Sequence, residues 1–171
     1  MQRLIARNGK GPETMTTTNA MKTTDINIRL VLPEDAAAWR PLYRGYATFY
    51  KRDITDAILD QTWAWLHDPA HPLEGLVAVA PDGKLVGLAH YRPQPKPLQG
   101  NDAGFLDDLF VDPDQRGCGV GRQLIEHLAT IARERGWPSI RWITATDNAT
   151  ARRLYDDVAE ATHWVTYELK P

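Results

Sequence analysis

The chain of 171 residues has a single cysteine, Cys118. One thiol excludes an intrachain disulfide framework and suits a reducing compartment, so a cytoplasmic protein is expected. Neither sign of charge is in excess: 20 Lys and Arg stand against 22 Asp and Glu, for a net charge of −2. Charge therefore gives no reason to expect a nucleic-acid partner. No apolar run approaches the ~18–20 residues of a membrane-spanning helix, and no membrane partner is expected. His67, His71, His127 and His163 lack metal-ligand spacing with acids or with Cys118, so no metal is expected. Apolar residues are scarce over residues 1–25, which read as a disordered leader or tag-like extension. They lack the hydrophobic segment of a secretory signal. Residues 26–171 read as one domain, long enough for a proper core.

What is present is organised around residues 104–125. A strand over 105–111 carries two consecutive carboxylates, Asp107 and Asp108, and Asp112-Pro113 ends it. Arg116-Gly117-Cys118-Gly119-Val120-Gly121 then sets three glycines at every second position. Val120, Leu124, Leu128 and Ile131 follow at helical spacing. Glycine lets the backbone turn sharply and lets a ligand approach it. The first amides of a helix have no internal partners, and with the helix dipole behind them they bind phosphate. The alternative is that the glycines serve only the turn. The lysine followed by Ser or Thr of a P-loop is absent. A G-x-G-x-G spacing this late in the chain also fits a dinucleotide fingerprint poorly.

Around this stretch, alternation predicts strands over 25–32, 73–81, 85–91, 139–144 and 164–169. Helices are expected from Pro33-Glu34-Asp35 through Tyr50, over 56–67, from Val120 to Arg135-Gly136, and from a cap at Asp147 or Asn148. Asp82-Gly83 reads as a hairpin turn. Pro93, Pro95 and Pro97 read as a stiff loop between two strands. By the two-residue period of a strand, Asp107 and Asp108 should face opposite sides.

Arg116-x-x-Gly119-x-Gly121 after a strand resembles the acetyl-CoA-binding signature of the GNAT superfamily of N-acetyltransferases. The resemblance spans nearly all of the chain beyond the leader. Within that superfamily, Leu106-Asp107-Asp108-Leu109-Phe110-Val111 is similar to the matching strand of diamine and polyamine acetyltransferases, and of the yeast histone and polyamine acetyltransferase group. It implies an α/β (α+β) fold, a mixed, mostly antiparallel twisted sheet of about six or seven strands flanked by about four helices.

It also implies acetyl-CoA as cofactor and acetyl transfer to a primary amine of a small molecule, of polyamine or amino-acid type. Transfer would occur by direct attack in a ternary complex. An enzyme of the same fold acting on protein lysines or an antibiotic, and a non-catalytic acyl-CoA sensor, are the alternatives. Arg116, Gly117, Cys118, Gly119, Val120, Gly121 and Arg122 are then expected around the pyrophosphate. The backbone of Leu109, Phe110 and Val111, with Asn148 and Ala151, is expected along the pantetheine arm. Tyr155, two helical turns from Asn148 on the same face, is implied to give a proton to the coenzyme sulfur. An alkyl amine with a reference pKa near 10.4 arrives charged, so a base is needed. The resemblance selects Asp107, where a glutamate is shortened to aspartate and a water relay is favoured. Asp108, Tyr46, Tyr50, His90 and Trp164 are the expected acceptor contacts, and a homodimer is expected from the family.

Overall fold

The computed structural model describes residues 26–171. The expected leader, residues 1–25, lies outside the described residues. Five strands form one sheet in the order β1-β2-β3-β4-β5. They are β1 Asn27–Leu30, β2 Glu74–Val79, β3 Leu85–Lys96, β4 Asn101–Val111 and β5 Ile140–Arg141. The first four pair antiparallel and β5 joins β4 in parallel. Four helices accompany them: α1 Ala36–Phe49, α2 Asp56–His67, α3 Val120–Glu134 and α4 Ala149–Val158.

Local chemistry sets the helix starts. Asp35 accepts from both arms of Arg29, at 2.6 and 2.8 Å, and from the Leu32 amide at 2.8 Å, which fixes the entry to α1. The Thr55 side chain caps α2 through the Ile58 amide. Alternation along β2 sends Leu76 and Ala78 to one face of the sheet and Val77 to the other. One core packs Leu76, Ala89, Leu106, Leu124 and Leu128 under α3. The second packs Trp39, Leu42, Leu59, Leu88 and Phe110 under α1 and α2.

The structure corrects three sequence expectations. First, the prolines do not make a long loop. β3 runs through Pro93 and Pro95 to Lys96, which stands opposite Asn101, and only Pro97–Gln99 forms a short helical turn. β2 stops opposite Tyr91, so beyond that point β3 has a free edge. Prolines two residues apart turn the same side of the strand outward, and their missing N–H groups cost no ladder bond there.

Second, Asp107 and Asp108 do not face opposite sides. His90 pairs with Asp108 and Tyr91 with Leu106, which leaves Asp107 as the extra residue of a β-bulge. The bulge resets the alternation and brings both carboxylates to the α1 side.

Third, residues 164–169 form no strand, so the sheet has five strands among the described residues rather than six or seven. Trp164, Tyr167 and Leu169 are 69, 90 and 90 % exposed. Period two says which side chains share a face, but it cannot supply a ladder partner, and β5 is only two residues long.

β4 and β5 pair only at Gly104↔Ile140 and Phe105↔Arg141. A Cβ on Gly104 would stand 2.8 Å from the Trp137 ring, so only glycine lets this junction close. Past Phe105 the two strands separate, and the rest of β4 keeps a free edge on that side.

Candidate active site

The glycine turn leads from this splayed strand into α3. Gly117 and Gly119 both have φ of 79°, a left-handed conformation that side chains resist, and Gly119 caps α3. Gly121 has a different role. A Cβ there would stand 3.3 Å from Leu154 Cδ2, so it lets α3 approach α4 closely. Arg116 Nε donates to the Val111 carbonyl at 3.2 Å, and its guanidinium lies over the rings of Phe49 and Phe110. Arg122 bonds Asp157 of α4 at 2.9 Å. Cys118 is half-buried in the turn. A left-handed glycine cradle ahead of the unpartnered first amides of a 15-residue helix fits a pyrophosphate. The β4 edge at Leu109, Phe110 and Val111, which pairs with no strand among the described residues on that side and has only its Val111 carbonyl held by Arg116, fits the amides of a pantetheine arm.

Asn148 caps α4 through the Ala151 amide at 3.4 Å and donates to Thr144 Oγ1 at 3.1 Å. That ties α4 to the segment after β5. Tyr155, on α4, packs its ring against Trp142 at 5.4 Å. Burial, with Tyr50 nearby, pushes its hydroxyl up to about 12. It therefore stays protonated at neutral pH and has no hydrogen-bond partner among the described residues.

Two cavities meet here. One, of about 610 Å³, is walled by Tyr43, Tyr46, Tyr50, Arg52, Asp53 and Asp107. The other, of about 360 Å³, is lined by Phe105, Arg152, Tyr155 and Trp164. Ile143, Thr144 and Thr166 belong to both. Trp164 thus stands beside Tyr155 rather than in the tyrosine-walled cavity.

The two carboxylates have different surroundings. Arg92 Nε lies 3.1 Å from Asp107 Oδ2 and donates to Oδ1 at 3.3 Å. Oδ2 is buried without a hydrogen bond of its own. Burial pushes the Asp107 carboxyl up, and the Arg92 charge only partly offsets it. Asp108 accepts from His90 Nδ1 at 2.8 Å and from the Tyr43 hydroxyl at 3.1 Å. Burial works against its charge, but the donors from His90, Tyr46 and Tyr43 outweigh burial and hold it below the usual carboxylate range. His90 is 1 % exposed and lies behind the cavity wall, where Trp39 Nε1 donates to its Nε2 at 3.0 Å.

Sequence reasoning missed Trp39, Arg52 and Arg92. A signal for Trp39 was present. Trp39, Tyr43, Tyr46 and Tyr50 follow at intervals of four, three and four residues, one face of α1. Their rings adjoin in succession, the first two pairs stacked at 4.9 and 5.8 Å and Tyr46 meeting Tyr50 edge-on at 5.1 Å. Arg92 carried no signal, because its partner depends on the bulge. Among the described residues no three His, Cys, Asp or Glu side chains gather as a metal site, and no helix is long and apolar enough to cross a membrane.

The chain is 33% identical over 144 residues to the D-amino-acid N-acetyltransferase HPA3 of Saccharomyces cerevisiae, covering 84% of this chain and 89% of that one. It is 31% identical to an aminoglycoside N(6')-acetyltransferase type 1 of Stenotrophomonas maltophilia, covering 80% and 81%. Among solved structures, a ribosomal-protein-alanine N-acetyltransferase from Brucella melitensis biovar Abortus superposes with a TM-score of 0.72 at 30% identity, covering 85% of this chain and 98% of that one. The model of the Acetyltransferase (GNAT) family matches residues 37–158, and the chain belongs to that family of acetyl-CoA-dependent acetyltransferases, which act on amines.

Proposed function

We propose that the protein acetylates the primary amine of a small molecule of amino-acid or polyamine type. The observation that carries this is the cavity of about 610 Å³, with three tyrosines and the half-buried Asp107 in its wall. Aromatic faces and a carboxylate suit a cationic amine. Similarity to a D-amino-acid N-acetyltransferase supports an amino acid. Arg52 lines the same cavity, and its side chain has no ion pair among the described residues, which suits an acceptor carboxylate. Asp53, beside it, suits the second ammonium of a diamine instead.

Acetyl-CoA, when bound, supplies the activated acetyl group. The residues of the glycine turn hold its phosphates, and the β4 edge with α4 holds its arm. Asp107, in the cavity wall with its carboxyl raised by burial, takes the amine proton directly or through a water. As the amine nitrogen bonds to the acetyl carbon and the thioester C–S bond breaks, Tyr155 would give its proton to the leaving thiolate. Cys118 lies in the turn and does not line this cavity, which supports direct transfer in a ternary complex.

The test is thiol release from acetyl-CoA against a panel of amino acids, polyamines, aminoglycosides and lysine peptides. Turnover is expected with amino acids or polyamines, and Tyr155→Phe should lower kcat by at least ~100-fold. Turnover confined to peptides or aminoglycosides would overturn the substrate class. Coenzyme binding without turnover on any amine would favour a sensor.

A further inference from the structure

Behind the acceptor cavity runs a buried polar chain that no coenzyme contact explains. It links α1, β3 and β4: Trp39 Nε1 to His90 Nε2 at 3.0 Å, His90 Nδ1 to Asp108 Oδ2 at 2.8 Å, and the Tyr43 hydroxyl to the same oxygen at 3.1 Å. Trp39 and His90 are each 1 % exposed, so water does not compete for these bonds.

The direction of each bond follows from what its atoms can do. An indole N–H only donates. His90 Nε2 must therefore accept, and the ring's proton sits on Nδ1, aimed at Asp108. A carboxylate only accepts, so Tyr43 spends its one hydroxyl proton on Asp108, and the Tyr46 hydroxyl acts on the same carboxylate. Burial beside Asp108 pushes both phenols up, so both keep that proton. Tyr43 and Tyr46 line the cavity, Asp108 does not. What the two hydroxyls have left for the cavity is their oxygen lone pairs.

We propose that Trp39 and His90 are positioning residues that hold Asp108 as a fixed anion, and that Asp108 in turn orients the Tyr43 and Tyr46 hydroxyls so that they accept from N–H groups of the acceptor amine. This rests on the tyrosine-walled cavity being the amine site. The side of the cavity formed by Tyr43 and Tyr46 then takes a donor-rich amine head rather than an acceptor such as a carboxylate. The groups facing the His90 ring are Trp39, Asp108 and the edge of Tyr43, with Asp107 acting on it through space. None of them offers Nε2 an acceptor for a second proton.

The first test is nitrogen-15 NMR of the imidazoles in the protein without substrate. It does not depend on which amine is acetylated. The neutral His90 ring should carry its proton on Nδ1 and none on Nε2. A neutral ring protonated on Nε2 overturns the proposal, even if amine turnover is intact. The second test is kinetic, with whichever amine the panel identifies. His90→Asn keeps an N–H where Nδ1 stands, whereas His90→Gln does not. His90→Gln and Tyr43→Phe should each raise KM for the amine ~10-fold or more with kcat within ~3-fold, and His90→Asn should restore KM toward wild type. Equal KM in His90→Asn and His90→Gln overturns the proposal and leaves His90 a packing residue.

Discussion

Asp107 and Asp108 are adjacent in sequence and on one face of the sheet, yet their neighbours drive their acidities apart. Asp108 is held low by His90, Tyr46 and Tyr43, whereas Asp107 is desolvated, has one imperfect arginine contact and is pushed up. Pairs split in this way divide into a permanent charge and a proton carrier. Asp107 must be charged to accept a proton, so activity falls as pH drops through its value. Because that value is raised, the acid limb of kcat/KM should lie above the ordinary 3.8 of a carboxyl. Asp107→Asn should remove the limb and lower kcat/KM by about 100-fold. The check is a profile of kcat/KM against pH, and a limb unchanged in the variant would exclude Asp107 as base or relay. The pair itself was legible in the sequence. Its shared face was not, because one unpaired residue of β4, Asp107 itself, opposite the step from His90 to Tyr91, reverses the alternation and leaves no mark in composition.

At the scale of the elements, β4 carries three functions along its length. Its start is stapled to β5 by Gly104, its bulge presents the two carboxylates, and its end offers a free edge before the glycine turn. That order was readable as strand, turn and helix, because three glycines and a change of period are strong local signals. The division of labour among the glycines was not readable. Gly119→Ala puts a side chain at φ 79° and should destabilise by about 1–2 kcal/mol, with weaker coenzyme binding. Gly121→Ala meets only the flexible end of Leu154 at 3.3 Å, so α3 and α4 can adjust by a few tenths of an ångström. Its melting point should stay closer to wild type than that of Gly119→Ala. Thermal melts and coenzyme titration of both variants check the contrast, and equal losses would mean that the left-handed turn is not the sensitive feature.

In the whole molecule, the sheet separates two cores. α3 packs on one, α1 and α2 on the other, and the splay between β4 and β5 opens at their junction. The helix-flanked sheet was expected from the family resemblance alone, and the burial of β2 on both faces is its physical basis. The end of the chain was not legible, because 164–169 alternates like a strand while β5 provides a ladder of only two residues. A ligand that spans the glycine turn, the β4 edge and α4 ties three elements together, so it should stabilise the domain as a unit. Binding to the native state alone adds about 2.7 kcal/mol at 100 times Kd. For a domain of this size each kcal/mol raises Tm by about 2–4 °C, so acetyl-CoA should raise it by about 5–10 °C. Tyr155→Phe should keep the full rise, because it removes a proton donor and not a binding surface, whereas Gly119→Ala should show a smaller one. Differential scanning calorimetry with and without coenzyme decides this. No rise at saturating acetyl-CoA would remove the assignment of the turn and strand edge as its binding site, and a rise lost in Tyr155→Phe would make that hydroxyl a binding group instead of the acid.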